Sequence, residues 1–188
     1  YEADDIHGTI ASMANSDDEL FSYILSGDRD LLQLITDKVN VLLATNSDTV
    51  LYDRNAFFEK YGVEPPRLVD AKALMGDSSD NIPGCPGVGE KTAQKLIAEY
   101  GDIPTLLARR DERKGALKKK VEENVELIEL SRFLATIKTD APITLDLEAL
   151  KREEPDEEKI QALFEELEFR TLLQRAPLSS PQGGKAQA

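Results

Sequence analysis

The sequence predicts an α/β core followed by an all-helical module, and three observations predict it. Short apolar runs at residues 20–25, 39–44 and 49–52 read as strands of one small, mostly parallel sheet. From residue 53 onward apolar residues recur at helical spacing. Between these regimes and the last helices lies a glycine- and proline-rich turn at 82–89, preceded by a pair of aspartates.

The elements follow in order. Ile6, Ile10 and Met13, spaced four and three apart, predict a helix over 2–14, which NSDDE breaks. LFSYIL at 20–25 shows no alternation, so it is expected to be buried on both faces, as in a parallel sheet. DRDLLQL then starts a helical turn, and strands follow at Val39–Ala44 and Thr49–Tyr52. DRNAFFEKYG has an Asp start and a Gly stop, the signature of a short helix. A second helix runs over 65–75 with proline in its first turn, and EKTAQKLIAEYG forms a third, closed by Gly101. Residues 103–136 carry two or three more helices, PITLDL reads as a returning strand, and DEEKIQALFEELEF as an amphipathic helix. SSPQGGKAQA has linker composition. The expected divisions are 1–82 for the acidic core, 83–140 for the helical module, 141–176 for a strand and helix segment, and 177–188 for the linker.

Composition restricts function. The 188 residues hold 36 acidic and 23 basic side chains, a net charge of −13, which argues against a protein that simply coats DNA. The charge is uneven. Residues 85–120 carry nine basic and five acidic side chains, whereas 140–168 carry three basic and eleven acidic. A basic module between acidic segments points to nucleic acid on one face. A single cysteine, Cys85, excludes an internal disulfide framework and fits a reducing compartment. No apolar run approaches the roughly 20 residues that span a bilayer, so no membrane partner is expected. The opening YEADDIHG has neither an initiator methionine nor a signal peptide and reads as a cut within a longer chain.

Three carboxylate groups stand out: EADD (Glu2, Asp4, Asp5), GDRD (Asp28, Asp30) and GDSSD (Asp77, Asp80). The second pair follows a strand, at the edge where open α/β sheets keep their ligands. The i, i+3 spacing of Asp77 and Asp80 puts both on one face of a helical turn. Carboxylates gathered at one point repel unless cations intervene, and such hard oxygen donors suit Mg²⁺ or Mn²⁺ better than zinc. The ordinary alternative is that these aspartates cap helices and form turns.

IPGCPGVGEKTAQKL resembles a P-loop at first, but Glu90 displaces Lys91 and Thr92 by one residue and no apolar strand precedes the glycines. The favoured reading is a helix–turn–helix in which Gly84, Gly87 and Gly89 let the backbone approach a DNA phosphate. The new helix's free N–H groups, with Lys91, Thr92 and Lys95, would hold that anion. A plain glycine-rich connection between helices is the alternative.

EADD, SGDRDLLQL, LMGDSSDNIPGCPGVGEKTA and LATIKTDAPI, in that order, resemble the 5′-nuclease domain of bacterial DNA polymerase I, in the flap-endonuclease superfamily. The resemblance covers roughly residues 1–140, and the closing ELEFRTLLQR is similar to the segment where that domain meets the rest of the polymerase. It implies a PIN-like/5′-nuclease α/β fold with a helix–three-turn–helix module, here as an N-terminally truncated fragment. It also implies a cytoplasmic bacterial nuclease acting on 5′-flap or nicked duplex DNA, with polymerase domains in the same parent chain. Glu2, Asp4, Asp5, Asp28, Asp30, Asp77 and Asp80 match the ligands of two Mg²⁺ or Mn²⁺ ions, with Asp4, Asp5, Asp28 and Asp77 expected as catalytic. The Gly84–Gly89 turn matches a DNA grip that also takes K⁺ through backbone carbonyls. His7 stands where an apolar residue is expected, and metal-activated water needs no histidine base. Two other classes remain: a DNA-binding module without nuclease activity, and a metal-dependent PIN-like ribonuclease.

Overall fold

The computed structural model describes residues 1–112 and 115–176. They form two compact units, divided between Leu145 and Asp146.

The first unit opens with helix α1 (Ala3–Asn15), where the Asp5 carboxylate accepts the Glu2 N–H at 3.1 Å and so caps the first turn. Strands β1 (Ser22–Ser26), β2 (Val39–Ala44) and β3 (Thr49–Tyr52) follow, with a 3₁₀ turn at Asp30–Leu34 between the first two. The sheet order is β1-β2-β3. The β1–β2 pair is parallel, with Ser22 opposite Val39, and β2–β3 is antiparallel. The α/β expectation therefore holds, with one of the two pairings parallel.

β1 departs from the sequence reading. Only Ile24 is buried, while Tyr23 and Leu25 are 59% and 65% exposed. The strand has one hydrogen-bonded neighbour, and the period of two sends alternate side chains to the uncovered face. An unbroken apolar run thus marked strand propensity rather than two-sided burial. β2 shows the alternation cleanly: Val39, Val41 and Leu43 point into the core.

The chain then becomes helical. Asp53 caps α2 (Arg54–Tyr61) by accepting the Ala56 N–H at 2.7 Å, and Gly62 ends it. Next come α3 (Arg67–Met75), α4 (Glu90–Tyr100) and α5 (Ile103–Ala108), then α6 (Ala116–Glu123) and α7 (Val125–Ala135). Two apolar cores result. One packs Leu31, Leu32, Val39, Val41 and Phe57 beneath the sheet; the other packs Leu74, Leu96, Ile97, Leu106 and Ile128 among the helices. α3 is the wall they share, since Leu68 faces the sheet core while Ala73 and Leu74 belong to the helical one.

α3 also carries a buried charge. Asp70 is 1% exposed and accepts from Arg132 Nε of α7 at 2.8 Å, from Arg67 at 3.3 Å and from the Ile103 N–H at 3.4 Å. One carboxylate thereby ties three helices, its charge compensated by two guanidinium groups.

Residues 141–147 form no strand: Ile143 N–H turns back onto the Ala141 carbonyl at 2.7 Å. The segment's backbone is spent on a tight turn and on α1, where the Ala141 N–H meets Thr9 Oγ1 at 3.0 Å. The second unit contains α8 (Glu157–Glu166), capped by Asp156 through the Lys159 N–H at 3.0 Å, and α9 (Arg170–Arg175). The tail expected at 177–188 lies outside the described residues.

Candidate metal centre and phosphate-holding turn

The site begins with the backbone of GDSSDNIPG. The N–H of Asp77 donates to the Ile82 carbonyl at 2.9 Å, and the N–H of Ile82 returns to the Asp77 carbonyl at 2.8 Å. This two-bond bridge closes a loop that projects Asp77 and Asp80. Behind it, Gly76 and Gly84 lie back to back: a Cβ on Gly84 would fall 2.3 Å from the Gly76 nitrogen. Both have positive φ, +74° and +67°. Ser131 of α7 fixes the junction by accepting the Gly84 N–H at 2.9 Å. The acidic loop and the glycine turn are thus two sides of one backbone crossing.

Asp28 and Asp30 arrive at the same place from the C-terminal end of β1. Asp28 Oδ1 accepts the Asp30 N–H at 2.8 Å, which starts the 3₁₀ turn. Gly27, Asp28, Arg29, Asp30, Lys72, Asp77, Ser79 and Asp80 line one cavity of about 370 Å³. Oxygens of Asp30, Asp77 and Asp80 lie within 4.8 Å of one another.

Lys72 sits at their centre, 7% exposed, with Nζ bonded to Asp30, to Asp77 at 2.8 Å and to Asp80 at 3.0 Å. Burial opposes its charge, yet the hydrogen bonds to Asp30, Asp77 and Asp80 outweigh it and raise its pKa. Lys72, then Ser79, hold Asp77 down to about 2. Asp30 is raised, chiefly by burial, although Lys72 pulls the other way. An all-oxygen donor set of this kind fits a hard divalent cation, and the ammonium group shows the cavity already accommodating one positive charge.

The EADD group is placed differently. Asp5 Oδ1 accepts the Lys138 N–H at 2.9 Å while Oδ2 caps α1, and the Lys138 bond is the main reason its pKa is lowered. Asp4 is raised by burial and next by the Asp28 charge, so it faces the cavity's outer side; His7 Nδ1 is 4.0 Å from it. Glu2 is exposed at the helix start. Among the described residues, three of the seven carboxylates converge within ligand distance, Asp28 shares their cavity, and Glu2, Asp4 and Asp5 stand outside the group.

Lys72 is the site residue that sequence reasoning missed. Its signal was a lysine amid apolar residues on α3, five positions before Asp77, a pattern equally suited to a side chain snorkelling to solvent.

At the turn, the Thr92 and Ala93 N–H groups close onto the Gly89 carbonyl, leaving those of Glu90 and Lys91 without a backbone acceptor among the described residues. Lys91 and Lys95 are exposed, and Thr92 is half-buried. A second cavity of about 260 Å³ shares Asp30, Lys72 and Asp77 with the acidic one and is bordered by Glu90 and Gln94 of α4. It joins the carboxylates to the helix that the turn opens.

A carboxylate cavity at a strand end, beside a helical module opened by a glycine turn, has the architecture of the flap nucleases. The crystal structure of T5 D15 protein co-crystallized with metal ions is 25% identical, with a TM-score of 0.64 over 73% of this chain and 51% of that one. A bacteriophage T5 D15 flap endonuclease complex with DNA and metal ions gives the same identity and TM-score, covering 73% and 50%. The catalytic core of Rad2 in complex with DNA substrate is similar in fold at 17% identity, with a TM-score of 0.56 over 96% and 62%. The description "5′-3′ exonuclease, N-terminal resolvase-like domain" matches residues 1–62, and "5′-3′ exonuclease, C-terminal SAM fold" matches 63–158. The chain belongs to the 5′-3′ exonuclease family. It is 48% identical over 174 residues to the thermostable DNA polymerase I of Thermus filiformis and 44% identical over 191 residues to DNA polymerase I of Bacillus subtilis strain 168. These matches cover 92% and 100% of this chain but 20% and 22% of the relatives, so the chain spans about a fifth of their length. Among the described residues, no helix is long and apolar enough to cross a membrane.

Proposed function

We propose that this chain carries the cutting and duplex-gripping parts of a 5′-3′ exonuclease and flap endonuclease, acting on 5′-flap or nicked duplex DNA. The observation that carries the reading is the convergence of Asp30, Asp77 and Asp80, from segments 47 or more residues apart, within 4.8 Å around a buried lysine. Asp30, Asp77 and Asp80, with Asp28 and Asp4 beside them, would hold Mg²⁺ or Mn²⁺, two per site. When bound, the metal supplies a water nucleophile at neutral pH and charge stabilisation for the leaving oxygen.

The chain's own residues do the rest. The Asp77–Ile82 bridge fixes the loop that aims Asp77 and Asp80, and Ser79 orients the Asp77 carboxylate by donating its N–H at 2.9 Å. Lys72 offsets their repulsion. Arg29, on the cavity wall, adds a cation on the side where a polyanion enters. The free N–H groups at the start of α4, with Lys91, Thr92 and Lys95, would hold a backbone phosphate. The Gly84–Gly89 carbonyls would offer K⁺ a seat, in a helix–three-turn–helix whose duplex grip feeds the cavity next to it.

Residues 1–82 then serve as core, 83–140 as DNA module, 141–176 as the C-terminal segment and 177–188 as linker. DNA polymerase I relatives support polymerase domains in the same parent chain and a bacterial cytoplasmic setting, in replication and repair.

Asp77→Asn tests the reading. It should abolish Mn²⁺ binding seen by electron paramagnetic resonance, together with 5′-flap cleavage, while leaving binding of nicked duplex in EDTA within about twofold. Unchanged Mn²⁺ binding would overturn the metal assignment.

A further inference from the structure

Helix α6 presents three consecutive lysines with different partners. Lys118 pairs with Asp111 at 2.9 Å and Glu122 at 3.6 Å, and Lys119 pairs with Glu123 at 3.6 Å. Lys120 has no carboxylate in ion-pair range among the described residues; its Nζ instead donates to the Gly87 carbonyl at 3.1 Å. The turn is shaped around this ammonium, because a Cβ on Gly87 would lie 2.4 Å from it. The rest of Lys120 is anchored as well, its carbonyl accepting from Asn124 Nδ2 at 2.8 Å and from Cys85 Sγ at 3.6 Å.

We propose that Lys120 is a further DNA-binding residue, donating to a duplex backbone phosphate seated at the Gly84–Gly89 turn. The inference rests on the phosphate-holding reading of that turn. An ammonium has three donors, and one of them is spent on Gly87. The others sit on the rim of a turn whose following helix has its Glu90 and Lys91 N–H groups free. A cation without an acidic partner, held by backbone on an exposed rim, is prepaid in side-chain entropy and poised for an anion. Its position 36 residues beyond Gly84, on another helix, explains why the turn motif does not reveal it.

The test measures fluorescence anisotropy of this chain with nicked duplex DNA in EDTA, over roughly 50–200 mM NaCl. Lys120→Gln keeps an amide donor for Gly87 but removes the charge, and should lower the slope of log K against log [salt] by about 0.9. Lys120→Met should do the same, and Lys120→Arg should keep the wild-type slope. Lys91→Ala, measured in parallel, separates the two possible failures. If Lys91→Ala lowers the slope and Lys120→Gln does not, Lys120 only staples the turn and the proposal is overturned. If neither changes the slope, the turn's phosphate role falls and this proposal falls with it.

Discussion

Lys72 reaches the carboxylates because α3 places it on the face opposite Leu68, inside the helix's buried turn rather than at its end. A side chain this buried among Asp30, Asp77 and Asp80 compensates charges that otherwise repel. Breaking a buried ion pair by removing one partner costs about 3–5 kcal/mol, and the half-exposed Asp80 brings this site toward the lower figure. Lys72→Met should therefore lower the melting temperature in EDTA, and MnCl₂ should recover more stability in the variant than in wild type. Differential scanning calorimetry with and without Mn²⁺ checks this. Equal metal responses would show that the lysine and the cation do not occupy the same carboxylate nest. Cys85, by contrast, is inert by environment: it is 2% exposed and burial raises its thiol pKa.

At the scale of elements, the crossing of Gly76 and Gly84 sets the spacing between the acidic loop and the start of α4. The close approach leaves no room for a side chain, and positive φ adds strain for any L-residue placed there. Gly84→Ala must push the two backbone strands apart. It should destabilise the protein by roughly 1–3 kcal/mol or more and weaken Mn²⁺ and DNA binding together, since one junction supports both. Urea denaturation followed by the two binding assays would check it. Loss of one binding activity alone would mean that the loop and the turn are positioned independently.

Across the whole molecule, electrostatics sets the response to acid. Asp5, Asp77 and Asp102 have lowered pKa values, held there respectively by the Lys138 N–H, by Lys72 and by Thr105. Their folded forms bind protons less readily than the unfolded chain, so their stabilisation is present above about pH 4 and is lost as pH falls toward 2. Asp4 and Asp30 shift upward and act in the opposite sense: they destabilise at neutral pH, and protonation relieves them first. With a net charge of −13, stability in EDTA should rise slightly from pH 7 toward roughly pH 5 and then fall below about pH 4. Urea titrations across that range would show a monotonic fall from pH 7 if the raised pair had no influence.

Much of this molecule was legible in its residues. Caps at Asp53 and Asp156, stops at Gly62 and Gly101, and the helical spacing of α4 are local signals that the fold obeyed. The Asp77–Asp80 spacing and its nearness to the glycine turn were legible too, although a β-bridge rather than a helical turn presents the pair. What escaped was set by tertiary neighbours: the uncovered face of β1, the turn at 141–147, Asp5 committed to the Lys138 backbone, and Lys72 and Lys120 meeting partners on other segments. No spacing rule sees a lysine find its acids across 42 residues. The most direct measurement is an anomalous-difference map from crystals of this chain soaked in Mn²⁺. It should show density bounded by Asp30, Asp77 and Asp80, with Lys72 displaced; Mn²⁺ bound elsewhere, and none in that cavity, would contradict the metal centre described here.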